Sequence, residues 1–196
     1  MKEEKSQIQY QREKNAKTTS ELIYRGKIVS IRKDIFKVGD GLPQQYDIVL
    51  HPGAVGIVPV SQQGNLLLVK QWRRAAQKIL LEIPAGTLDE NEDPLECAQR
   101  ELQEETGFKA ETFISLGGFY TAPGFCTEYL HLFIAKDLSP SPLPPDDDEL
   151  IDVVEMEPHQ ALDMIYEHQI EDAKTIAGIL QYHQWQSHES RKKAKK

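Results

Sequence analysis

The segment Arg100-Glu101-Leu102-Gln103-Glu104-Glu105-Thr106-Gly107-Phe108, with Glu92 eight residues and Gly86 fourteen residues before Arg100, decides how this chain folds and what chemistry it carries. A helix is predicted over 94–106. Asp93 is suited to accept from the first free amides, Pro94 fits the first helical position, and Gly107 sits where a left-handed terminator is wanted. Leu95, Ala98 and Leu102 fall on one face at spacings of three and four. Glu101 and Glu105 are four apart, so their carboxylates stack. That pairing costs about a few tenths of a kcal/mol unless neutralised, and the helix dipole disfavours anions near this end. A sequence that breaks local rules in this way points to a site. A hard divalent cation, Mg²⁺ or Mn²⁺, is the natural compensation, since it prefers oxygen ligands. From the carboxylates alone, a solvated acidic face eased by Arg100 and Lys109 is an equal alternative.

Outward from this helix the pattern is strand-rich. Residues 1–20 mix Lys, Glu, Gln and Thr with few apolar residues and read as a flexible arm. Leu22-Ile23-Tyr24, Lys27 to Ile31, Asp34 to Val38 and Tyr46 to Leu50 are strand-like, with Gly39-Asp40-Gly41 as a turn, giving a small antiparallel unit over 21–51. Val55 to Val60 and Leu66 to Val69 read as a hairpin around Gln62-Gln63-Gly64-Asn65. Strands are expected at 112–119, 128–135 and 150–156, and helices at 158–168 and 173–186. The domain over 52–187 then carries the chemistry, and 188–196 form a basic flexible tail. Mixed strands and helices without a βαβ rhythm give an α+β class.

Composition narrows the function. With 23 Lys+Arg against 31 Asp+Glu the net charge is −8, which argues against a sequence-independent nucleic-acid binder. A phosphate-bearing ligand stays open, because a metal can supply positive charge locally. Two cysteines, Cys97 and Cys126, make no disulfide framework. No apolar run approaches a membrane span and the N-terminus has no apolar signal core, so a cytoplasmic protein with no membrane partner is expected. The histidines form no zinc-type arrangement, and no nucleophile elbow or phosphate-binding loop occurs.

Gly86, Glu92, Arg100, Glu101, Glu104, Glu105 and Gly107, with aliphatic Leu102 and aromatic Phe108, resemble the Nudix box at every defining position. Seven fixed residues would recur by accident in about one chain in a million at roughly 5–7% usage each. The resemblance implies an α/β/α sandwich that hydrolyses a nucleoside diphosphate linked to another moiety. It makes Glu101 and Glu105 metal ligands, with Glu104 beside them and the Ala85 carbonyl as a backbone ligand. It has Arg100 orient a carboxylate ligand and Glu92 hold the loop. Beyond the box, Glu82-Ile83-Pro84-Ala85-Gly86, Gln71-Trp72-Arg73, Thr121-Ala122-Pro123-Gly124-Phe125 and Asp172-Ala173-Lys174-Thr175 look like the ADP-ribose pyrophosphatase branch, with Pro123 sixteen residues after Gly107.

That likeness implies Mg²⁺-dependent hydrolysis of ADP-ribose or a related nucleoside-diphosphate sugar to AMP and a sugar phosphate. The alternatives are another nucleoside diphosphate derivative, such as FAD or NADH, or a sensor that binds ADP-ribose without turnover. Arg73 is expected to face the diphosphate, with Glu82, Pro123 and Tyr24 as further substrate contacts. A homodimer built through the 21–51 unit is implied as well. A carboxylate already bound to metal accepts a proton poorly, so the base is expected on the Asp146-Asp147-Asp148-Glu149 segment. Relatives carry a base or further ligand there, and the count back from Leu150 points to Glu149, with Asp147 second.

Overall fold

The computed structural model describes residues 4–144 and 150–194. The chain separates into two compact units, Met1–Pro52 with Ala122–Glu128, and Gly53–Thr121 with Tyr129–Lys196.

In the first unit, helix α1 (Lys5–Lys14) precedes strands β1 (Lys17–Arg25), β2 (Ser30–Lys37) and β3 (Gln44–Leu50). The strands form an antiparallel sheet in the order β1-β2-β3. Gly39, at φ 57°, supplies the left-handed residue that the β2–β3 turn requires. Phe36 is the buried side chain among these strands and stacks on Tyr46. Within the stretch expected as a flexible arm, Lys5–Lys14 take up helix and the residues from Lys17 onward strand. Their Lys, Glu and Gln content, which lacks a core, is also good helix-forming material, and Gln9 bonds Glu13 one turn on.

The second unit contains β4 (Ala54–Pro59), β5 (Leu66–Arg73), β6 (Lys78–Glu82), β7 (Ala85–Thr87), α2 (Pro94–Thr106), β8 (Phe108–Tyr120), β9 (Tyr129–Pro140), β10 (Ile151–Met156), α3 (Pro158–Tyr166) and α4 (Ala173–Ala194). One sheet has the order β10-β5-β6 and the other β7-β4-β9-β8, with β4 and β9 parallel. The expected hairpin of β4 and β5 does not form. The two strands enter different sheets, and among the described residues their backbone pairing is limited to one bridge just past β4, Val60 to Leu66. Their apolar runs are continuous rather than alternating, which suits strands covered on both faces.

The burial bears this out. Ala54, Val58, Leu66, Leu68, Leu132 and Ile134 join one core with Ala161 of α3 and Ile179 and Tyr182 of α4. Val55, Ile57, Leu67, Phe133 and Ala135 join another with Cys97, Ala98 and Leu102 of α2. Successive residues of β4 and β9 thus feed opposite cores, one under α2 and one under α3 and α4. This is an α+β architecture, an α/β/α sandwich. The C-terminal segment read as a tail instead continues α4 to Ala194. No proline or glycine interrupts it after Gly178, and Lys192 pairs with Glu189 at 2.8 Å. No described helix is long and apolar enough to cross a membrane.

Candidate active site

Helix α2 carries the acidic cluster, and its ends are fixed as the local sequence dictates. The Asp93 carboxylate accepts from the Leu95 amide at 2.8 Å, Pro94 opens the helix, and Gly107 closes it at φ 77°. With those ends set, Cys97, Ala98 and Leu102 point into the core, and Glu101 and Glu105 are carried into partial cover at 9% and 5% exposure. Burying two carboxylates so close together requires partners.

The nearest partner is Arg100. Its Nε and Nη2 donate to the two oxygens of Glu92, each at 3.0 Å. Its Nη1 donates to Glu101 at 2.6 Å and to Glu104 at 3.1 Å. One guanidinium therefore joins three carboxylates, and the hydrogen bonds it donates to Glu92 raise its pKa further above the ordinary arginine value. Glu92 is held low in turn, chiefly by those same bonds. It also accepts from the Asp89 amide at 3.0 Å, which fastens the loop ahead of the helix.

Glu105 accepts from the Ala85 amide at 3.1 Å, so strand β7 is pinned to the helix at the residue beside Gly86. A Cβ on Gly86 would stand 1.8 Å from Glu101 Oε1. The bare backbone there is the cradle in which the Glu101 carboxylate lies. Among the described residues, no three Asp, Glu, His or Cys side chains already stand together as a ligand set. The donor types nonetheless fit a hard divalent cation, which takes carboxylate and carbonyl oxygens. Glu101 and Glu104 share the Arg100 guanidinium as counter-charge, and Glu105 stands on the same helix against the Ala85 amide.

A second charged group lies at the end of β6. Arg73 Nε and Nη2 donate to both oxygens of Glu82 at 2.8 Å, and Lys174 of α4 bonds the same carboxylate. Burial alone would lift the Glu82 carboxyl, but Arg73 and Lys174 together hold it below the ordinary range. Arg73 is raised above its usual value, first by the Glu82 hydrogen bonds and further by the nearby charges of Glu105 and Asp172. The two charged groups therefore adjoin one another. Glu82, expected among the substrate contacts, is 1% exposed, so its reach toward a ligand runs through Arg73.

Within the second unit the structure brings together Arg73, Glu82, Ala85, Arg100, Glu101, Glu104 and Glu105. Tyr24 and Pro123 belong to the first unit and are exposed there. Glu149 and Asp147 lie outside the described residues. Asp172, Lys174 and Thr175 are residues to which the sequence reading gave no role. Asp172 caps α4, accepting from the Thr175 amide at 2.9 Å and from Lys174 at 3.0 Å. An aspartate three residues before a threonine, ahead of an apolar helix, signals that cap in sequence. Nothing local shows that Lys174 meets Glu82. Cys97 is buried, its thiol pushed up by desolvation, so it is a packing residue rather than a nucleophile.

Comparison with known proteins fits this arrangement. Residues 50–179 match the model of the NUDIX domain. The chain is 39% identical over 176 residues, 89% of its length and 94% of the relative's, to the methanol dehydrogenase activator of Bacillus methanolicus. It is 37% identical over 161 residues, 81% of its length and 87% of the relative's, to the ADP-ribose pyrophosphatase of Bacillus subtilis strain 168. The crystal structure of an ADP compounds hydrolase superposes with a TM-score of 0.80, covering 90% of this chain and 96% of that one at 23% identity, a likeness of fold.

Proposed function

We propose, for a chain that belongs to the Nudix hydrolase family, that it hydrolyses the diphosphate bond of ADP-ribose or a closely related nucleoside-diphosphate sugar, giving AMP and a sugar phosphate. The observation that carries this reading is that Arg100 bridges Glu101 and Glu104 on α2, while Glu105 of the same helix lies close enough to Arg73 to stabilise its charge. The relative named ADP-ribose pyrophosphatase, similar over most of both chains, supports the substrate class.

Nudix hydrolases use divalent metal ions; here Mg²⁺, or Mn²⁺ in its place, is the proposed ion. Glu101, Glu105 and the Ala85 carbonyl would hold it, with Glu104 alongside, and when bound it supplies charge neutralisation at the phosphates. Arg73 meets the diphosphate through charge-assisted hydrogen bonds. Arg100 keeps Glu101 and Glu104 turned to one side of α2 while Glu92 anchors it. Glu149 is the proposed base, taking a proton from the attacking water, with Asp147 as the second candidate. Replacing Glu149 by Gln should lower kcat strongly with little change in KM, since proton transfer belongs to the transition state. Asp146→Asn should do little. Silence of both Glu149→Gln and Asp147→Asn would remove this segment from the mechanism.

Tyr24 and Pro123 are proposed as contacts to the nucleoside end, a role for which their exposure leaves room. Two copies are proposed to associate. Leu22, Ile23, Tyr24 and Ile31 are exposed in the first unit, and in the second Trp72 and Ile79, cross-strand partners, are 54% and 68% exposed. Apolar surface of this kind favours a second copy as cover, and light scattering at micromolar concentration should give twice the chain mass. A cytoplasmic location is proposed because the free thiols of Cys97 and Cys126 suit a reducing compartment.

The deciding test is a panel of ADP-ribose, ADP-glucose, NADH, FAD and a nucleoside triphosphate, with and without Mg²⁺. Inorganic phosphate released only after phosphatase treatment, greatest with ADP-ribose, is expected. Binding of ADP-ribose without any turnover would make the chain a sensor instead. A second reading comes from the relative named methanol dehydrogenase activator: the chain stimulates a partner dehydrogenase. Adding wild type and Glu105→Gln to a methanol dehydrogenase assay tests it, since loss of stimulation with the variant would assign the effect to the same site.

A further inference from the structure

Glu82 is 1% exposed and carries a charge-assisted contact on each oxygen. Oε1 receives Arg73 Nε, while Oε2 receives both Arg73 Nη2 and Lys174. Lys174 is 15% exposed and bonds Asp172 at 3.0 Å. Asp172 is in turn held by the amide and hydroxyl of Thr175, and that hydroxyl accepts from the Ile83 amide at 2.8 Å. The first turn of α4 thus grips β6 twice, once through the Glu82 side chain and once through the next residue's backbone. Arg73 stands at the exposed end of this chain of contacts, its side chain 38% accessible.

The arrangement has a charge consequence. Arg73 and Glu82 alone form a neutral pair. Lys174 and Asp172 add one charge of each sign, and the four together are neutral. Without Lys174 the group would carry one net negative charge beside the place where a diphosphate must come. Oε2 of Glu82 would then face Arg73 alone, and the guanidinium would be drawn inward against it.

We propose that Lys174 is a positioning residue for the diphosphate: by sharing Glu82 it leaves the Arg73 guanidinium oriented outward with positive charge to offer an incoming anion. The inference rests on the reading that this site binds a nucleoside diphosphate. It assigns Lys174 no contact with the reacting atoms. Arg73 binds the diphosphate in ground and transition state alike, so the loss belongs in KM rather than kcat.

The test is Lys174→Met, with Lys174→Arg as the conservative control, in the full chain. Steady-state hydrolysis of ADP-ribose at saturating Mg²⁺ should show KM raised about ten-fold with kcat within about two-fold of wild type, and Lys174→Arg should restore most of the loss. In an Arg73→Met background, Lys174→Met should add nothing further. Nitrogen-15 NMR of the Arg73 Nε–H should show solvent exchange slowed in Lys174→Met relative to wild type, as the guanidinium is drawn onto Glu82. A lower kcat at unchanged KM, an additional KM increase in the double variant, or an unaltered Arg73 signal would each overturn the proposal. Should wild type hydrolyse no nucleoside-diphosphate sugar, the functional reading falls while the NMR arm still decides whether Lys174 orients Arg73.

Discussion

A methyl group at Gly86 would stand 1.8 Å from Glu101 Oε1, and the helix cannot yield, because Leu102 beside it is fully buried. Gly86→Ala should therefore cost about 1–3 kcal/mol of stability from overpacking, and turnover should fall with it, read by thermal melting and by hydrolysis of ADP-ribose. Glu105→Gln tests the opposite case. The amide oxygen can still accept from Ala85, and a like charge four residues from Glu101 is relieved. The melting temperature should hold or rise slightly while turnover drops by orders of magnitude; near-normal turnover at saturating Mg²⁺ would show that Glu105 is no ligand. At this scale the acids were legible because they violate helix rules in a spacing that packing does not explain. Lys174 was not legible. A lysine in a first helical turn is ordinary, and only the fold shows that Glu82, 92 residues earlier, is its partner.

Helix α2 is the element whose bounds could be read in advance. Its signals are local: an aspartate cap, a proline at the start and a glycine at the end. Asp93→Ala should remove about 1 kcal/mol through loss of the bond to the Leu95 amide, visible as a lowered urea midpoint with an unchanged slope. Because the cap lies well away from Glu101 and Glu105, kcat should change far less than in Glu105→Gln. The β4–β5 pair was misread for the converse reason. A short polar turn between two apolar runs is a hairpin signal, but whether the strands pair or part is decided by what covers them. Here β4 takes β7 and β9 as neighbours while β5 takes β6 and β10, and no residue within the turn records that choice. Helix α4 ran past its expected end because the basic segment contains no breaker, and charge alone does not stop a helix.

For the whole molecule, acid is the informative variable. Glu82 and Glu92 are both held below the ordinary carboxylate range, Glu82 by Arg73 and Lys174 against its own burial, Glu92 by Arg100. A depressed carboxyl contributes stability that is complete above its unfolded value, about 4.3 for glutamate, and is lost as pH falls through its lower folded value. Metal-free protein should accordingly keep a level urea midpoint above about pH 5 and lose stability steeply below about pH 4. The gap between wild type and Glu82→Gln should be full at pH 7 and narrow on acidification, whereas a gap constant with pH would show that Glu82 is not an ion-paired carboxylate in the folded state. The bond from Ile83 to Thr175 spans 92 residues and has a further consequence for synthesis. A nascent chain halted between α3 and α4 already possesses β4 to β10 and the whole of α2, yet it lacks the group that fastens β6 from behind. Acidic helix and arginine are made before α4, but the charged group around Glu82 cannot close until α4 has left the ribosome.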